Sequence, residues 1–284
     1  MKIDLITSQD LPELGADDLL LAKKLSELGH SVRARVWSDS PETDADRIVL
    51  RSPWDYHLRL LEFRGWLACQ AAERMLNRPA VIEWNIHKKY LLELAGKGIP
   101  IVPTNLYLAG ADPDWVASKS AAMADGFVLK PAISATSFLT SRHSVGDNPA
   151  AAAQTLARHG DFLLQPYLPS VAKDGEVSLI FFAGRFSHAV LKLAQSGDYR
   201  VQADFGGTVE AFNATPALIE LSERILGTLP KHLGTPHYAR VDLVDWRTAP
   251  KLSELELIEP NLFFLTDAKA TGLFASVVER ETHH

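Results

Sequence analysis

Hydrophobic and polar positions along the first hundred residues follow two alternating rhythms. KIDLIT (2–7) is an apolar run of strand length, and from about Ala16 to Leu28 apolar residues recur at helical spacing until Gly29 ends the pattern. This helix is expected to bury Leu19, Leu20, Ala22 and Leu25. VRARVW (32–37) and RIVL (47–50) read as two further strands, Leu58 to Met75 as a second amphipathic helix, AVIEW (80–84) as a short strand, and His87 to Ala95 as a third helix before Gly96 and Gly98. Strands alternating with helices predict a small α/β unit built on a parallel sheet.

From IPIVPT (99–104) onward the pattern changes. GFVLKPA (126–132), DFLLQPYL (161–168), EVSLIFFAG (176–184) and FSHAVLKLA (186–194) read as strands, with a helix near Asn148 to Arg158 and a hairpin turn at Ala183-Gly184. A helix from Pro216 to about Leu229 leads into HYARVDLVDW (237–246), its hairpin return LSELELIEPN (252–261), and a closing helix within Thr266 to Glu281. The expected fold class is therefore α/β plus α+β, with no repeat and no low-complexity linker.

Composition narrows the function. A chain of 284 residues has room for two or three packed units. No run approaches the ~18 apolar residues of a membrane span, and Asp4 interrupts the N-terminal apolar run, so a cytoplasmic protein is expected. A net charge of −6 argues against a surface that tracks nucleic-acid phosphates. Cys69 is the only cysteine, which excludes an internal disulfide and a cysteine metal cluster; it is expected to be a buried helical residue. The terminal His283 and His284 look like the remnant of an expression tag. There is no GxGxxG after the first strand and no GxxxxGK[ST], so any nucleotide is held another way. Neither HExxH nor GxSxG occurs, and His143, His188 and His237 have no metal spacing.

Two constellations carry chemistry. Strand alternation puts Arg240 and Asp242 on one face, while Glu259 and Asn261 stand two apart at the end of the neighbouring strand. Two carboxylates and an amide oxygen make a hard, all-oxygen set that suits Mg²⁺ together with phosphates, and Arg240 can grip a phosphate bidentately. The plainer reading is a solvated hairpin, which is expected for Glu254 and Glu256. Lys130 and Lys192 stand inside otherwise apolar strands, where a lysine ordinarily snorkels at an edge. With Lys88 or Lys89 they can instead converge on a polyanion. Arg200 precedes a Gly206-Gly207-Thr208 turn. In IVLRSPWDYH (48–57), Arg51 stands at the carboxyl end of a strand, where parallel sheets bind ligands.

Taken in order, Lys88/Lys89, VLKP, LLQPYL, GEVSLIFF, Lys192, Arg200, RVD and EPN resemble the ATP-grasp superfamily, nearest its branch of prokaryotic glutathione synthetase-like and cycloserine cyclo-ligase-like proteins. The resemblance implies an ATP-grasp architecture: an N-terminal α/β domain (1–100), a central lid (101–170) and a C-terminal antiparallel-sheet domain (171–282), with ATP between the two later sheets. It implies that Lys130 contacts the α-phosphate and adenine side, that Lys89 (or Lys88) is an earlier ATP lysine, and that Ser134 reaches the phosphates. Gln165, Pro166, Tyr167 and Leu168 then run along the adenine, Glu176 lies near its edge or the ribose, and Lys192 and Arg240 contact phosphates. Asp242, Glu259 and Asn261 hold Mg²⁺, with Mn²⁺ as an alternative, while Arg200 and Arg240 stabilise the transferring group. Arg51, Ser52, Asp55 and Tyr56, with Gly206 and Gly207, belong to the acceptor pocket.

The implied activity is an ATP-dependent ligase that joins a small carboxylate to an amine through an acyl phosphate, in one molecule or between two. One departure stands out: typical members have a glycine-rich lid loop, whereas no glycine occurs between Lys130 and Val145. A silent ATP-binding module and a small-molecule binder without nucleotide therefore remain as alternatives. The expected partners are ATP and a small carboxylate, without nucleic acid or membrane, and the resemblance allows a homodimer.

Overall fold

The computed structural model describes residues 1–40, 42–112, 114–195 and 206–280. Arg200, His283 and His284 lie outside the described residues. The first portion is the expected parallel sheet. Its strands β1 (Lys2–Thr7), β2 (Ser31–Val36), β3 (Arg47–Ser52) and β4 (Met75–Leu76) stand in the order β2-β1-β3-β4, with Ile3 opposite Val32 and Leu5 opposite Val49. α1 (Ala16–Glu27) crosses from β1 to β2. Its buried stripe is Asp18, Leu21 and Leu25, spaced three and four apart, and Leu19 is 50% exposed instead of buried. Three successive leucines span most of the helix circumference, and a buried aspartate inside the stripe disguised which of them faces the core.

Three other expectations are corrected here. The helix expected from Leu58 to Met75 is a 3-10 turn at Tyr56–Arg59 followed by α2 (Leu60–Ala68), because Met75 pairs with Ile48 at the sheet edge. Cys69, just beyond α2, is exposed. AVIEW is not a strand but part of α3 (Pro79–Ile86), which Pro79 opens and which buries Val81, Ile82, Asn85 and Ile86 on one side. A five-residue apolar run has too few positions for period alone to separate strand from helix. α4 (Tyr90–Gly96) follows.

The second portion is an antiparallel sheet of β5 (Asn105–Tyr107), β6 (Phe127–Pro131), β7 (Ser141–His143) and β8 (Phe162–Pro166) in the order β5-β8-β6-β7. α5 (Asp114–Ser120) and α6 (Ala150–His159) accompany it, and its core closes on itself through Tyr107, Val116, Phe127, Leu129, Ala153, Leu156, Phe162 and Leu164.

After α7 (Pro169–Asp174) comes an antiparallel sheet of β9 (Glu176–Phe182), β10 (Arg185–Leu193), β11 (Thr208–Phe212), β12 (Tyr238–Val244) and β13 (Lys251–Glu256), in the order β11-β10-β9-β12-β13. Ala183 and Gly184, both left-handed, make the tight β9–β10 turn. Alternation splits this sheet cleanly. One face, with Val177, Leu179, Phe181, Leu191, Val241, Leu243 and Leu255, packs against Leu218 and Ile225 of α8 (Pro216–Gly227). The other face is divided along its length. Ile180, Phe182, Val190 and Tyr238 pack on Phe274 and Val278 of α9 (Ala270–Glu279), in one core with Ile3, Leu5, Leu21, Leu25 and Val49 of the first sheet. Further along the same face, Glu176, Ser178, Lys192, Arg240, Asp242, Glu254 and Glu256 replace the apolar side chains. The polar half of the face is the floor of a cavity.

Candidate active site

The cavity holds about 610 Å³ and lies between the two antiparallel sheets, with helix ends and turns of the first portion, among them Asp17, Tyr56 and Lys88, along one side. Its floor is an ion-pair ladder fixed by strand register. Lys192 stands opposite Glu176 and pairs with it, and Lys192 Nζ lies 3.4 Å from Asp242 Oδ2. Arg240 Nε donates to Asp242 Oδ1 at 3.0 Å and Nη2 to Oδ2 at 2.9 Å, while Nη2 also pairs with Glu256 across the strand. Ser178 Oγ donates to Asp242 Oδ1 at 2.5 Å. At the far side Lys88 Nζ sits 3.1 Å from Glu254 Oε1 and donates to Ser134 O at 3.0 Å.

Burial decides the charges. It pushes Glu256 up to about 8 although Arg240 opposes it, and it raises Glu176 and Glu259 despite neighbouring cations. Burial also works against ionised Asp242, yet Arg240 and Lys192 hold it down at about 2. Lys130 projects from β6 above the floor, and burial lowers its pKa. Among the described residues it makes no ion pair, unlike Lys88, Lys192 and Arg240.

The roof comes from the second sheet. Beside Lys130 the lining includes Val128 and the end of β8, Gln165 to Leu168, where Gln165 Nε2 donates to Thr104 Oγ1 at 2.8 Å and Tyr167 N to Gly126 O at 3.0 Å. The glycine-free loop after β6 contributes Ser134, Thr136, Ser137 and Thr140. Thr136, Ser137 and Leu139 adopt φ of 50°, 57° and 51°, so this loop takes up left-handed backbone without glycine.

The predicted residues divide accordingly. Lys130, Ser134, Gln165, Pro166, Tyr167, Leu168, Glu176, Lys192, Tyr56, Arg240, Asp242, Glu259 and Asn261 all line the cavity. Lys88 lines it, whereas Lys89 is exposed at the start of α4 and does not. Arg51, Ser52 and Asp55 lie behind the wall. Arg51 is 1% exposed and donates to Asp18 Oδ1 at 2.8 Å and to Pro260 O at 3.1 Å, and Asp55 accepts from Trp37 Nε1 at 2.7 Å. Gly206 and Gly207 stand before β11, beside but not in the lining, and Val209 of β11 reaches it.

Glu254 and Glu256, expected as solvated charges, face the cavity, because their strand partners Asp242 and Arg240 do. The signal was present in the register: Leu255 pairs with Val241 on the apolar face, so its neighbours must turn to the polar one. Asp17, at the first turn of α1, and Trp54 were also missed as lining residues.

The carboxylates of Asp17, Glu176, Asp242, Glu254, Glu256 and Glu259 outnumber the cations of Lys88, Lys130, Lys192 and Arg240 around this space. Asp242 and Asn261 spend side-chain oxygens on protein partners, Asn261 Oδ1 accepting from Phe263 N at 2.8 Å. Among the described residues no three His, Cys, Asp or Glu side chains form a metal cluster. The donor set fits a hard divalent cation that draws its remaining ligands from phosphate and water.

Known proteins resemble this chain in sequence and fold. The family of the D-cycloserine synthetase DcsG N-terminal domain matches residues 3–77. The cycloserine biosynthesis protein DcsG of Streptomyces lavendulae is 32% identical over 236 residues, which span 76% of this chain and 77% of that protein. A crystal structure of D-cycloserine synthetase DcsG superposes with a TM-score of 0.83 at 27% identity over 98% of each chain. The ATP-grasp ligase PsnB, solved with a phosphomimetic variant of its minimal precursor, Mg and ADP, gives a TM-score of 0.68 at 16% identity over 97% of each chain.

Proposed function

We propose, on the premise that this chain belongs to the ATP-grasp ligases of the D-cycloserine synthetase type, that it is an ATP-dependent ligase converting a small amino-acid-like carboxylate into an amide-type product through an acyl phosphate. The observation that carries the reading is the cavity between two antiparallel sheets, with Lys130, which makes no ion pair among the described residues, above a floor that carries Lys192 and Arg240. An unpaired, desolvated cation is costly unless an anion joins it, and a triphosphate supplies that anion. Lys88, Lys130, Lys192 and Arg240 then neutralise the phosphates, and Gln165 to Leu168 flank the base. Asp242, Glu259 and Asn261 would hold Mg²⁺, which when bound draws charge off the phosphate oxygens.

In this reading a carboxylate oxygen of the substrate attacks the γ-phosphorus and ADP leaves. A nitrogen then attacks the acyl carbon, phosphate departs, and the nitrogen loses one proton. The chain's own contribution is alignment and charge: Arg240 steadies the transferring group, and the Tyr56 and Trp54 wall holds the acceptor side. Where acid and nitrogen belong to one molecule the product is a ring, and holding both ends folded together removes the entropy of a second encounter.

The test is phosphate release from MgATP in the presence of amino acids, dipeptides, and ureido- or aminooxy-substituted amino acids. Release with one compound, yielding a product lighter than its substrate by one water, identifies ring closure. Silence across the whole panel, with MgATP binding intact, rejects the proposed substrate class. Asp242→Asn is expected to abolish release, and unchanged release would remove Asp242 from the metal set.

A further inference from the structure

The carbonyls of the segment after β13 are taken, almost one by one, by different side chains. Tyr238 Oη donates to Ile258 O at 2.8 Å, Arg51 Nη2 to Pro260 O at 3.1 Å and Arg240 Nη1 to Asn261 O at 3.4 Å, and His188 Nε2 lies 3.0 Å from Leu262 O. Three of these residues belong to the last sheet. Arg51 alone comes from the first sheet, 209 positions away along the chain. It is anchored from behind: Nε donates to Asp18 Oδ1 at 2.8 Å, and Ser52 Oγ, 3.3 Å from Asp18 Oδ2, also meets Thr7 Oγ1 at 3.1 Å. A guanidinium buried to 1% exposure is expensive to desolvate, and packing alone could be met by an apolar side chain. Its fork does something an apolar residue cannot, which is to tie one end of the first helix to one carbonyl of the Glu259–Asn261 segment.

We infer that Arg51 is a positioning residue for the metal: by fixing the Pro260 carbonyl it sets the backbone from which Glu259 and Asn261 reach Mg²⁺, and it does so without touching substrate. This rests on the assignment of Glu259 and Asn261 to Mg²⁺. Side chains that orient metal ligands typically contribute about 10- to 100-fold in metal affinity. The role differs from that of an acceptor-pocket anchor, because Arg51 stands outside the cavity lining.

Calorimetric titration of the full chain with ADP, in EDTA and at saturating Mg²⁺, separates the roles. Arg51→Lys keeps a positive charge beside Asp18 and removes the fork to Pro260. Its ADP affinity in EDTA is expected to stay within about twofold of the parent, while the gain supplied by Mg²⁺ falls by about tenfold. Glu259→Gln, run alongside, is expected to lose that gain. If Glu259→Gln loses the gain and Arg51→Lys keeps it, the positioning role is overturned and the metal assignment stands. If both keep the gain, the metal assignment falls and the positioning role with it. If Arg51→Lys binds ADP and Mg²⁺ normally but raises the KM of the carboxylate substrate, Arg51 is a substrate anchor and the inference is wrong. Should Arg51→Lys lose its cooperative melting transition, Asp18→Ala decides: it keeps Arg51, removes the acceptor that anchors it and is expected to lower the Mg²⁺ gain in the same direction, and an unchanged gain overturns the proposal.

Discussion

Lys88 Nζ lies 3.1 Å from Glu254 Oε1, joining the turn between α3 and α4 to the last strand of the C-terminal sheet beneath the cavity. Lys89, its neighbour, is exposed and aims elsewhere. A charged hydrogen-bonding group lost from a phosphate site costs about 1.5–3 kcal/mol, roughly one to two decades of affinity. Lys88→Met is therefore expected to raise the KM for ATP at least tenfold, and Lys89→Met to leave it within twofold. Steady-state kinetics on both variants checks this, and the reverse ranking would return the role to Lys89.

Glu256 makes stability depend on pH in a defined direction. Burial keeps its proton on in the folded chain up to about pH 8, whereas the unfolded chain releases it near 4.5. The folded form thus binds more protons across that window, and this contribution to stability is lost as pH rises through 8. Glu176 and Glu259, also raised, act in the same direction. His57, His87, His143, His188 and His237, lowered by burial, act oppositely, and what remains of their titration above pH 7 is common to parent and variant. Lys130, lowered as well, adds an opposing slope that is common to parent and variant. Between pH 7 and 8.5 the Tm of Glu256→Gln is expected to fall less than that of the parent. Parallel Tm profiles would remove Glu256 as the titrating group.

Gly175 offers a test of how closely the floor is built. It has φ of +75°, and a Cβ there would stand 2.4 Å from the Lys192 carbonyl oxygen. The nearest atom is backbone, so the strand itself must shift. Strain of this kind costs about 1–3 kcal/mol before the clash is counted. Gly175→Ala is expected to lower Tm by several degrees and, because β10 moves, to weaken ATP binding as well. The same substitution at Gly65, where a Cβ meets nothing within 4 Å, is expected to do neither. Thermal melting and ADP titration read both effects.

Much of the site could be read from spacing. Lys130 and Lys192 interrupt apolar strands of two different sheets, and both line the cavity between those sheets. Arg240 and Asp242, two apart, share a face as a strand requires. The inward turn of Glu254 and Glu256 is hidden in the sequence because a hairpin's outer strand looks solvated in isolation; only its pairing with β12 turns those carboxylates inward. AVIEW failed for another reason, since five apolar residues fit either period and Pro79 decides for helix. The setting of Arg51 had no local signal at all. Its partners, Asp18 and Pro260, lie 33 and 209 residues away, and no window of sequence contains them together.

The core shared by Ile3, Leu5, Leu21, Val49, Ile180, Phe182, Tyr238 and Phe274 has a consequence for how this enzyme can be taken apart or recombined. A cut near residue 100 would strip apolar cover from both pieces at once, leaving Phe274 and Tyr238 without Ile3 and Leu5. The sheet of β5 to β8 keeps most of its core to itself and shares only Leu163 and the half-buried Leu106 with the core of the last sheet. In a chimera with a related ligase, the two ends of the chain have to be inherited together, and the middle is the part that can be exchanged.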